Sequence, residues 1–298
     1  MAVVTTGFFD GVHLGHRHVL ETVVSSARER GEEAVVITFW PHPRAVLQQD
    51  ARDFRLLTSL EEKKALLMAA GIDRVEVIPF TRKFASIKAN DYLNILKQRY
   101  DASLIVMGYD NRLGSDRKTA EEICDTHTSL PPVAILKPVI PGVTDCHSER
   151  SEESPISSTR IRKALEAGEI EKANAMLGYE YGLHGVVVAG NRLGRTIGFP
   201  TANMQLYEPL KLVPLNGVYA VEVEVTGSVF RGMCNIGTRP TVGGTARTIE
   251  THILDFDEDI YGLPLKVRFL RRIREERKFP SLEALRAQLV QDALICKK

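Results

Sequence analysis

The sequence has few cysteines and no long apolar run. Its four cysteines stand far apart and form no Cys-x-x-Cys pair, so neither a zinc knuckle nor a dithiol redox motif is indicated. No apolar stretch approaches the roughly 20 residues that a membrane-spanning helix needs. The N-terminus has neither a basic leader nor the apolar segment of a signal peptide. We therefore expect reduced thiols, no membrane partner and a cytoplasmic location.

An excess of charge and two familiar nucleotide fingerprints are also missing. A formal net charge of +1 creates no field that would attract nucleic acid, so no nucleic-acid partner is expected. The chain contains no Gly-x-x-x-x-Gly-Lys-[Ser/Thr] and no Gly-x-Gly-x-x-Gly. These absences argue against a P-loop and against a dinucleotide-binding turn. Nothing in the composition indicates an oligomeric state.

What is present fits an ordinary globular protein of two domains. With 298 residues, of which 44% are hydrophobic and 26% charged, the chain can bury two cores. In the first half, apolar runs alternate with helical patterns, and this order predicts a doubly wound, Rossmann-like parallel sheet of the α/β class. The runs are 34–39, 75–80, 103–107 and 133–136, and the helical patterns are 17–30, 60–70 and 91–100.

The second half has the period-2 pattern of antiparallel strands. Apolar residues alternate with small or charged ones from 219 to 225, and a turn at Gly227 and Ser228 is predicted to follow. Closure of several such strands into a small barrel would remove exposed edges. A final helix is predicted to begin with Ser281 as its N-cap.

The boundary between the domains is predicted near residue 180. The segment 161–179 predicts two short helices broken at Gly168, with a hinge at 178–182 after them. The predicted domains are therefore 1–180 and 181–298. A polar, charge-rich stretch at 145–155 has almost nothing to bury and predicts a surface loop.

The stretch from Gly7 to His16 places two histidines on either side of a glycine, where the first strand gives way to a helix. In an open α/β sheet, ligands bind beyond the carboxyl ends of the strands, near helix N-termini. The glycines would let the backbone approach a phosphate chain, and the histidines can donate hydrogen bonds to oxygens whose charge grows during transfer. The predicted phosphate-site residues are Gly7, Asp10, Gly11, His13, Gly15 and His16. Helix capping and a metal site are the alternatives, but the metal interpretation lacks convergent carboxylates or thiolates.

Two further stretches, Thr38 to Pro43 and Ser157 to Arg162, favour the phosphate interpretation. With them, the chain resembles the prokaryotic bifunctional riboflavin kinase/FAD synthetase family over almost its whole length. The resemblance implies an N-terminal adenylyltransferase in which His13 and His16 contact the ATP phosphates and Arg162 helps hold the departing pyrophosphate. Three residues at the predicted helix start can cap the helix and bind the same anion: Ser157, Ser158 and Thr159.

The stretch from Gly190 to Asn203 resembles the signature of riboflavin kinases. Its glycines, Gly190, Gly194 and Gly198, would let the backbone fold over a nucleotide. Thr201 and Asn203 offer oxygen ligands suited to Mg²⁺ on ATP phosphates. This second motif therefore predicts a magnesium-dependent kinase site.

Glu250 matches the catalytic glutamate of riboflavin kinases. The ribityl hydroxyl of riboflavin is a poor nucleophile, and a positioned carboxylate can accept its proton. The alternative is that Glu250 lies on the polar face of a strand. His252 would share that strand face and could equally be a packing residue.

The sequence departs from the family in one element of the first domain. Where the family has Gly-x-Asp-Phe-x-Phe-Gly, residues 108–114 carry Asn111 and Leu113 in place of two aromatic residues. The resemblance implies that Asp110 and Asn111 contact the flavin. Aromatic faces contribute roughly 0.5–1.5 kcal/mol beyond burial, so a flat ring is expected to be held less firmly here.

The resemblance implies a two-step flavin enzyme. Riboflavin and ATP give FMN and ADP, then FMN and ATP give FAD and pyrophosphate, with Mg²⁺ in both steps. The expected partners are these small molecules. Two alternatives are a riboflavin kinase whose first domain has lost most adenylyl transfer, and a flavin- or nucleotide-binding sensor without turnover.

Overall fold

The computed structural model describes residues 1–47, 54–108, 111–124, 132–136, 155–190, 193–241 and 244–297. The chain divides into two compact units, Met1–Ser158 and Thr159–Lys298. The functional domain limits given above, 1–180 and 181–298, stay predictions. The predicted loop at 145–155 lies outside the described residues except for Pro155.

The first unit contains a five-stranded parallel sheet with the strand order β3-β2-β1-β4-β7. A short antiparallel hairpin, β5 and β6, stands apart from this sheet. The strands are β1 (Ala2–Thr6), β2 (Glu33–Trp40), β3 (Arg74–Pro79), β4 (Ala102–Gly108), β5 (Arg112–Leu113), β6 (Lys118–Thr119) and β7 (Val133–Leu136). The order reverses between β1 and β4, which is where open α/β sheets bind ligands.

Helices cover both faces of this sheet, as predicted for a doubly wound fold. The helices are α1 (Leu14–Arg30), α2 (Pro43–Leu47), α3 (Leu60–Ala69), α4 (Arg82–Ala85), α5 (Ala89–Tyr100) and α6 (Ala120–Cys124). Side chains of successive strand residues point to opposite faces. Val3 therefore joins the core under α1 and α3, whereas Val4 joins the core under α5. The predicted α/β class of this half is confirmed.

The second unit contains a closed six-stranded barrel with antiparallel pairs. Its strands are β8 (Gly182–Val188), β9 (Ala202–Leu206), β10 (Gly217–Val225), β11 (Ser228–Thr241), β12 (Gly244–Ile253) and β13 (Pro264–Arg274). The predicted turn between β10 and β11 is wrong by one residue. Thr226 and Gly227 form the turn, with φ angles of 51° and 80°, and Val225 pairs with Ser228. Both central residues of a tight hairpin turn of this kind need positive φ.

Four helices accompany the barrel in the described part of the second unit. They are α7 (Ser158–Glu166), whose first residue belongs to the first unit, then α8 (Ile170–Leu177), α9 (Leu193–Thr196) and α10 (Leu282–Cys296). Asn174 on α8 donates to the Phe269 carbonyl at 2.8 Å and accepts from the Tyr181 amide at 2.8 Å, which fastens α8 to β13. Ser281 caps α10 through the Ala284 amide, as predicted.

Candidate active sites

The first candidate site lies in the loop between β1 and α1, at the carboxyl edge of the parallel sheet. The loop turns sharply, with positive φ at Phe9, Gly11 and Val12. His13 is the N-cap of α1, and its Nδ1 accepts from the His16 amide at 3.3 Å. The capping alternative for His13 is therefore supported by the structure.

The rings of His13 and His16 stack on each other. Their centres are 3.6 Å apart and their planes differ by 16°. Gly15 makes this possible, because a Cβ at that position would lie 3.3 Å from the His13 ring. The glycine between the histidines therefore lets the first ring fold back over the first turn of α1. This geometry explains the His-x-Gly-His spacing in physical terms.

His16 is held in its neutral form. Burial, which is the largest cause, and the electrostatic influence of His13 and Lys63 lower the pKa of His16 well below its ordinary value. Its Nδ1 atom is buried and has no hydrogen-bond partner among the described residues. A neutral ring with an unprotonated Nδ1 carries its proton on Nε2, which is then the nitrogen that can donate.

The carboxylate of Asp10 links the loop to the segment before α3 by hydrogen bonds. It is buried and accepts from the amides of Leu57 and Thr58 at 3.0 and 3.1 Å. The Gly11 amide donates to the Thr58 hydroxyl at 3.2 Å, and the Gly7 amide donates to the Ile37 carbonyl at 3.0 Å. These bonds fix the loop to β2 and to the segment before α3. The predicted contacts of Gly7, Asp10 and Gly11 with ATP stay predictions.

The second predicted phosphate motif lies at the start of α7. Ser158 donates through its hydroxyl to the Asp10 carbonyl at 2.9 Å, so the helix start is tied to the histidine loop. Ser157 precedes α7 in the first unit. Thr159 and Arg162 lie on α7 within the second unit, and Arg162 comes one turn after Ser158.

Sequence reasoning missed Lys63. The side chain is completely buried on α3, and its Nζ donates to the Phe8 carbonyl at 2.9 Å. Burial lowers the pKa of Lys63 to about 8, opposed in part by the carboxylate of Asp10. The available signal was its position between Leu60 and Leu67, three and four residues away, which places it on the apolar face of the helix.

An aromatic group adjoins the loop and was noticed in the sequence only as part of the stretch Thr38 to Pro43. The Phe8 and Trp40 rings are stacked with centres 6.4 Å apart, and His42 meets Phe8 edge-on at 4.1 Å. Phe54 lies 4.3 Å from His42. The group provides flat apolar surface beside the two histidines of the loop.

Asn111 and Leu113 have structural contacts in this unit. The Asn111 amide donates to the Thr6 carbonyl at 2.9 Å, at the end of β1. Leu113 is buried in the core under α5. Asp110 lies outside the described residues, so the predicted flavin contacts of Asp110 and Asn111 stay predictions.

The second candidate site is built on three neighbouring strands of the barrel. Glu250 on β12 is in register with Asn203 on β9 and with Asn235 on β11. Residues in register on adjacent strands face the same side of the sheet. A carboxylate and two amides from three different strands therefore meet on one face of the barrel. Residues on the polar face of a single strand would not bring these groups together.

Two cavities adjoin these strands. One, of about 280 Å³, is lined by Glu250, Asn235 and His252 on the polar side and by apolar residues of β10, β11 and α10 on the other. The second, of about 370 Å³, is lined by Arg195, Thr251 and the acidic segment 257–259. Thr201 lines both cavities. Alternate residues of β12 contribute to the two cavities, because Glu250 and His252 face one and Thr251 and Ile253 face the other.

Each glycine of the kinase motif is required for a different structural reason. A Cβ at Gly190 would overlap the amide of Asn203, and a Cβ at Gly194 would overlap the Phe199 carbonyl. Gly198 has a φ of 82°, which favours glycine. Gly190 therefore allows close approach to Asn203 on β9, and Gly194 allows close approach to Phe199 in the segment before Thr201.

His252 fixes the backbone beside Thr201. Its Nδ1 lies 2.7 Å from the Pro200 carbonyl, and a carbonyl can only accept, so Nδ1 carries the proton. Burial lowers the pKa of His252, which keeps the ring neutral. His252 therefore does more than pack, because its hydrogen bond to Pro200 helps to position the next residue, Thr201, which is a candidate metal ligand.

The parts of the chain described by the structure contain no group of three or more His, Cys, Asp and Glu side chains that could hold a metal ion. Cys234 is buried and free, and burial raises the pKa of its thiol to about 12. Helices long and apolar enough to cross a membrane are absent from those same parts.

Comparison with known proteins decides between the interpretations. The model of the FAD synthetase family matches residues 1–149, and that of the riboflavin kinase family matches residues 177–298. The bifunctional riboflavin kinase/FMN adenylyltransferase of Bacillus subtilis is 37% identical over 98% of this chain and 90% of its own length. The enzyme of the same description from Escherichia coli K12 is 36% identical over 99% and 92%. The chain belongs to this bifunctional family.

Its activities follow from that membership. The protein is a riboflavin kinase and an FMN adenylyltransferase that uses ATP as co-substrate, so neither the kinase-only alternative nor the sensor alternative is needed. A crystal structure of a Streptococcus pneumoniae protein described as a macrolide-efflux protein is similar throughout, with 34% identity, a TM-score of 0.90 and coverage of 100% of this chain and 94% of that chain. The efflux description applies to that protein.

Proposed function

We propose that the two reactions use the two separate groups of residues described above. The stacked pair His13 and His16 at the start of α1 serves adenylyl transfer, and Glu250 with Thr201 and Asn203 serves riboflavin phosphorylation. The observation that carries the proposal is that Glu250, Asn203 and Asn235 meet on one face of the barrel. Glu250 and Asn235 line one cavity there, and Thr201 lines both this cavity and a second one.

In adenylyl transfer, a phosphate oxygen of FMN attacks the α-phosphorus of ATP and pyrophosphate leaves. The N-terminus of α1 offers backbone amides and the positive end of the helix dipole to these phosphates. His16 donates from Nε2 to an oxygen that gains charge as the reaction proceeds, and His13 supports it through the stacked ring. The aromatic group of Phe8, Trp40, His42 and Phe54 offers a face for a flat ring of FMN or ATP. A role of Arg162 in holding pyrophosphate stays a prediction.

In phosphorylation, the ribityl hydroxyl oxygen bonds to the γ-phosphorus of ATP while the bond to the ADP oxygen breaks. Glu250 accepts the hydroxyl proton. The cavity that contains Glu250 has apolar walls from Phe199, Met233 and Leu289, which suit the flat ring system of riboflavin. ATP then occupies the cavity on the other face of β12, and Thr201 stands where the two substrates meet.

The residues present fit a magnesium ion. Thr201 and Asn203 supply a hydroxyl and an amide oxygen, the hard donors that Mg²⁺ prefers, and the absence of a Cβ at Gly190 leaves room for the Asn203 side chain. When bound, the ion neutralises charge on the ATP phosphates. His252 keeps Thr201 in place through Pro200. A cytoplasmic location stays a prediction.

The test compares two variants of the full chain. Glu250→Gln should abolish formation of FMN from riboflavin and leave formation of FAD from supplied FMN nearly intact. His16→Ala should have the opposite pattern, with a loss of roughly 10²–10³ in the turnover of FAD formation. Single-turnover assays at saturating ATP, corrected for the folded fraction, measure both. Equal loss of both activities in either folded variant would contradict the assignment of separate sites.

A further inference from the structure

The cavity that contains Glu250 holds a second carboxylate, which the phosphorylation described above does not use. Glu276 lies just after the end of β13 and lines this cavity of about 280 Å³. Its side chain forms no hydrogen bond or ion pair with any residue that the structure describes. A carboxylate accepts hydrogen bonds and donates none, so Glu276 suits a ligand that brings its own donors.

The two arginines that line the same cavity are engaged with other side chains. Arg274 pairs with Asp292 at 2.8 Å, and Arg277 donates to Gln288. Neither arginine forms an ion pair with Glu276, although the three residues are close in the sequence. The negative charge of Glu276 is therefore available at the cavity.

Gly237 leaves the space that this carboxylate occupies. A Cβ at position 237 would overlap the Glu276 carboxylate, and it would lie 3.4 Å from the side-chain nitrogen of Asn235. Side chains alternate along a strand, so positions 233, 235 and 237 of β11 share one face. Met233 and Asn235 on this face line the cavity. The carboxylate of Glu276 therefore lies over β11 on the cavity face, next to Asn235.

The register of the barrel places Gly237 on a diagonal from Glu250. Glu250 on β12 pairs with Asn235 on β11, and Gly237 is the next residue on that face of β11. Diagonal neighbours on adjacent antiparallel strands lie roughly 7–8 Å apart. The ribityl chain of riboflavin carries the reacting hydroxyl at its end and secondary hydroxyls on the carbons before it. A chain whose terminal hydroxyl meets Glu250 can therefore bring a secondary hydroxyl to Glu276.

We propose that Glu276 is a specificity-determining residue of the riboflavin kinase, whose carboxylate lies over Gly237 and accepts hydrogen bonds from secondary hydroxyls of the ribityl chain. This inference rests on the proposed place of the terminal hydroxyl at Glu250. The other donor of riboflavin is the imide N–H of the ring, which the whole ribityl chain separates from the reacting hydroxyl. The position of Glu276 beside Asn235 favours the hydroxyls over the imide.

The experiment compares two flavins that differ only in the secondary hydroxyls. One is riboflavin, and the other carries an ω-hydroxypentyl chain in place of the ribityl chain and keeps the terminal hydroxyl. The proteins are full-length wild type, Glu276→Ala, Glu276→Gln and Glu275→Ala. Glu275 is the matched control, because it is the preceding residue, has the same charge, is exposed and does not line the cavity. The ratio of kcat/KM for the two flavins measures the discrimination.

Glu276→Ala should lower kcat/KM for riboflavin by roughly 10- to 100-fold, which is the usual effect of a hydrogen bond to a charged group. The same variant should phosphorylate the hydroxypentyl flavin as wild type does. Glu276→Gln should lie between Glu276→Ala and wild type, because it keeps one acceptor oxygen without the charge. Glu275→Ala should match wild type with both flavins. An equal loss with both flavins in Glu276→Ala would overturn the proposal.

Gly237→Ala tests the place of the carboxylate without removing it. The added methyl group displaces only the end of a flexible side chain, so the fold should be kept. This variant should lose kcat/KM for riboflavin and keep it for the hydroxypentyl flavin. The double variant Gly237→Ala/Glu276→Ala should be no worse than Glu276→Ala, because both changes remove one interaction. Additive losses would show that the carboxylate does not act from this place and would overturn the proposal.

Binding of lumiflavin, which has the ring but no ribityl chain, gives a readout without turnover. Its dissociation constant, measured by fluorescence quenching, should be the same for wild type and Glu276→Ala. Weaker binding of lumiflavin to Glu276→Ala would assign Glu276 to the ring imide and overturn the proposal. Wild-type phosphorylation by Glu250→Gln would instead reject the role of Glu250, while the comparison of the two flavins would still decide whether Glu276 recognises the hydroxyls.

Discussion

At the scale of single residues, the first site depends on one missing side chain and one buried charge. Gly15 lets the His13 ring lie over the first turn of α1, where it stacks on His16 at 3.6 Å. Lys63 adds a cation under the same loop. The histidine spacing was visible in the sequence because glycine between two polar rings is a local pattern.

Burial of Lys63 should lower the free energy of unfolding by an amount that depends on pH. The pKa of Lys63 is about 8 in the folded chain and 10.5 in its ordinary range, so the unfolded chain binds more protons between these values and wild-type stability rises with pH there. Lys63→Met lacks this titration. Its free energy of unfolding should therefore exceed that of wild type below about pH 8, and the difference should shrink as the pH rises toward 10.5.

Denaturant unfolding followed by tryptophan fluorescence measures this difference. Trp40 is the single tryptophan of the sequence and lies in the first unit, so its signal reports on that unit. Lys64→Met is the control and should differ from wild type by a constant amount at every pH. A Lys63→Met protein that is less stable at pH 7, with a pH-independent difference, would show that the contacts of the ammonium outweigh its burial.

Lys63 also shows where residue-level prediction fails. It stands in the run Glu61 to Lys64, which resembles a solvated helix face, and its burial depends on the packing of α3 against the loop. Asp10 is similar, since its partners at Leu57 and Thr58 are 47 and 48 residues away along the chain. A single sequence carries no signal for the distant partners of Asp10, and its only signal for the burial of Lys63 is the spacing of that residue from Leu60 and Leu67.

At the scale of elements, local patterns predicted most of the fold. The run predicted at 133–136 is the strand β7, and the two helices predicted around Gly168 are α7 and α8. Among the elements that were predicted, the errors lie at their ends, whereas short elements such as α2 and α4 were not predicted. Helix α1 begins at Leu14, before the predicted residue 17, because the His13 ring acts as its cap. The pairing of Glu250 with Asn203 depends on barrel closure, which brings β9 beside β12.

We expect one buried ion pair of helix α10 to affect the binding of riboflavin. Arg274 on β13 contacts Asp292 on α10 at 2.8 Å, and Asp292 is completely buried. Leu285 and Leu289 of the same helix line the cavity that contains Glu250. Asp292→Asn leaves the arginine charge without its carboxylate, and breaking such a pair costs about 3–5 kcal/mol. We expect the KM for riboflavin to rise about tenfold or more and the thermal midpoint of the second unit to fall.

The matched control for this prediction is Asp255→Asn. Asp255 pairs with Lys297 at 3.4 Å near the end of the same helix, but its side chain is 82% exposed. Exposed pairs contribute little, so this variant should keep the wild-type KM and stability. FAD formation from supplied FMN should be unchanged in both variants. A normal KM for riboflavin in a destabilised Asp292→Asn protein would show that the ion pair stabilises the fold but does not affect riboflavin binding.

At the scale of the whole molecule, two architectures carry two chemistries. A parallel sheet presents helix N-termini at one edge, which suits an anion, whereas a barrel presents side chains from three adjacent strands on one face, which suits a base beside an alcohol. The family models match these parts separately, at 1–149 and 177–298. The product of the kinase, FMN, is the substrate of the adenylyltransferase.

This separation predicts complementation between chains. A mixture of Glu250→Gln and His16→Ala proteins should convert riboflavin and ATP to FAD, although each protein alone should do so slowly or not at all. The His16→Ala chain makes FMN in its second domain, and the Glu250→Gln chain uses that FMN in its first. The rate should rise with the concentration of both proteins, since FMN must diffuse from one chain to the other. The control replaces His16→Ala by the double variant His16→Ala/Glu250→Gln, which should yield no FAD. If His16→Ala forms no more than one FMN per chain and the mixture makes no FAD, while Glu250→Gln still adenylylates supplied FMN, then FMN is not released, and the two sites of one chain must act on it in succession.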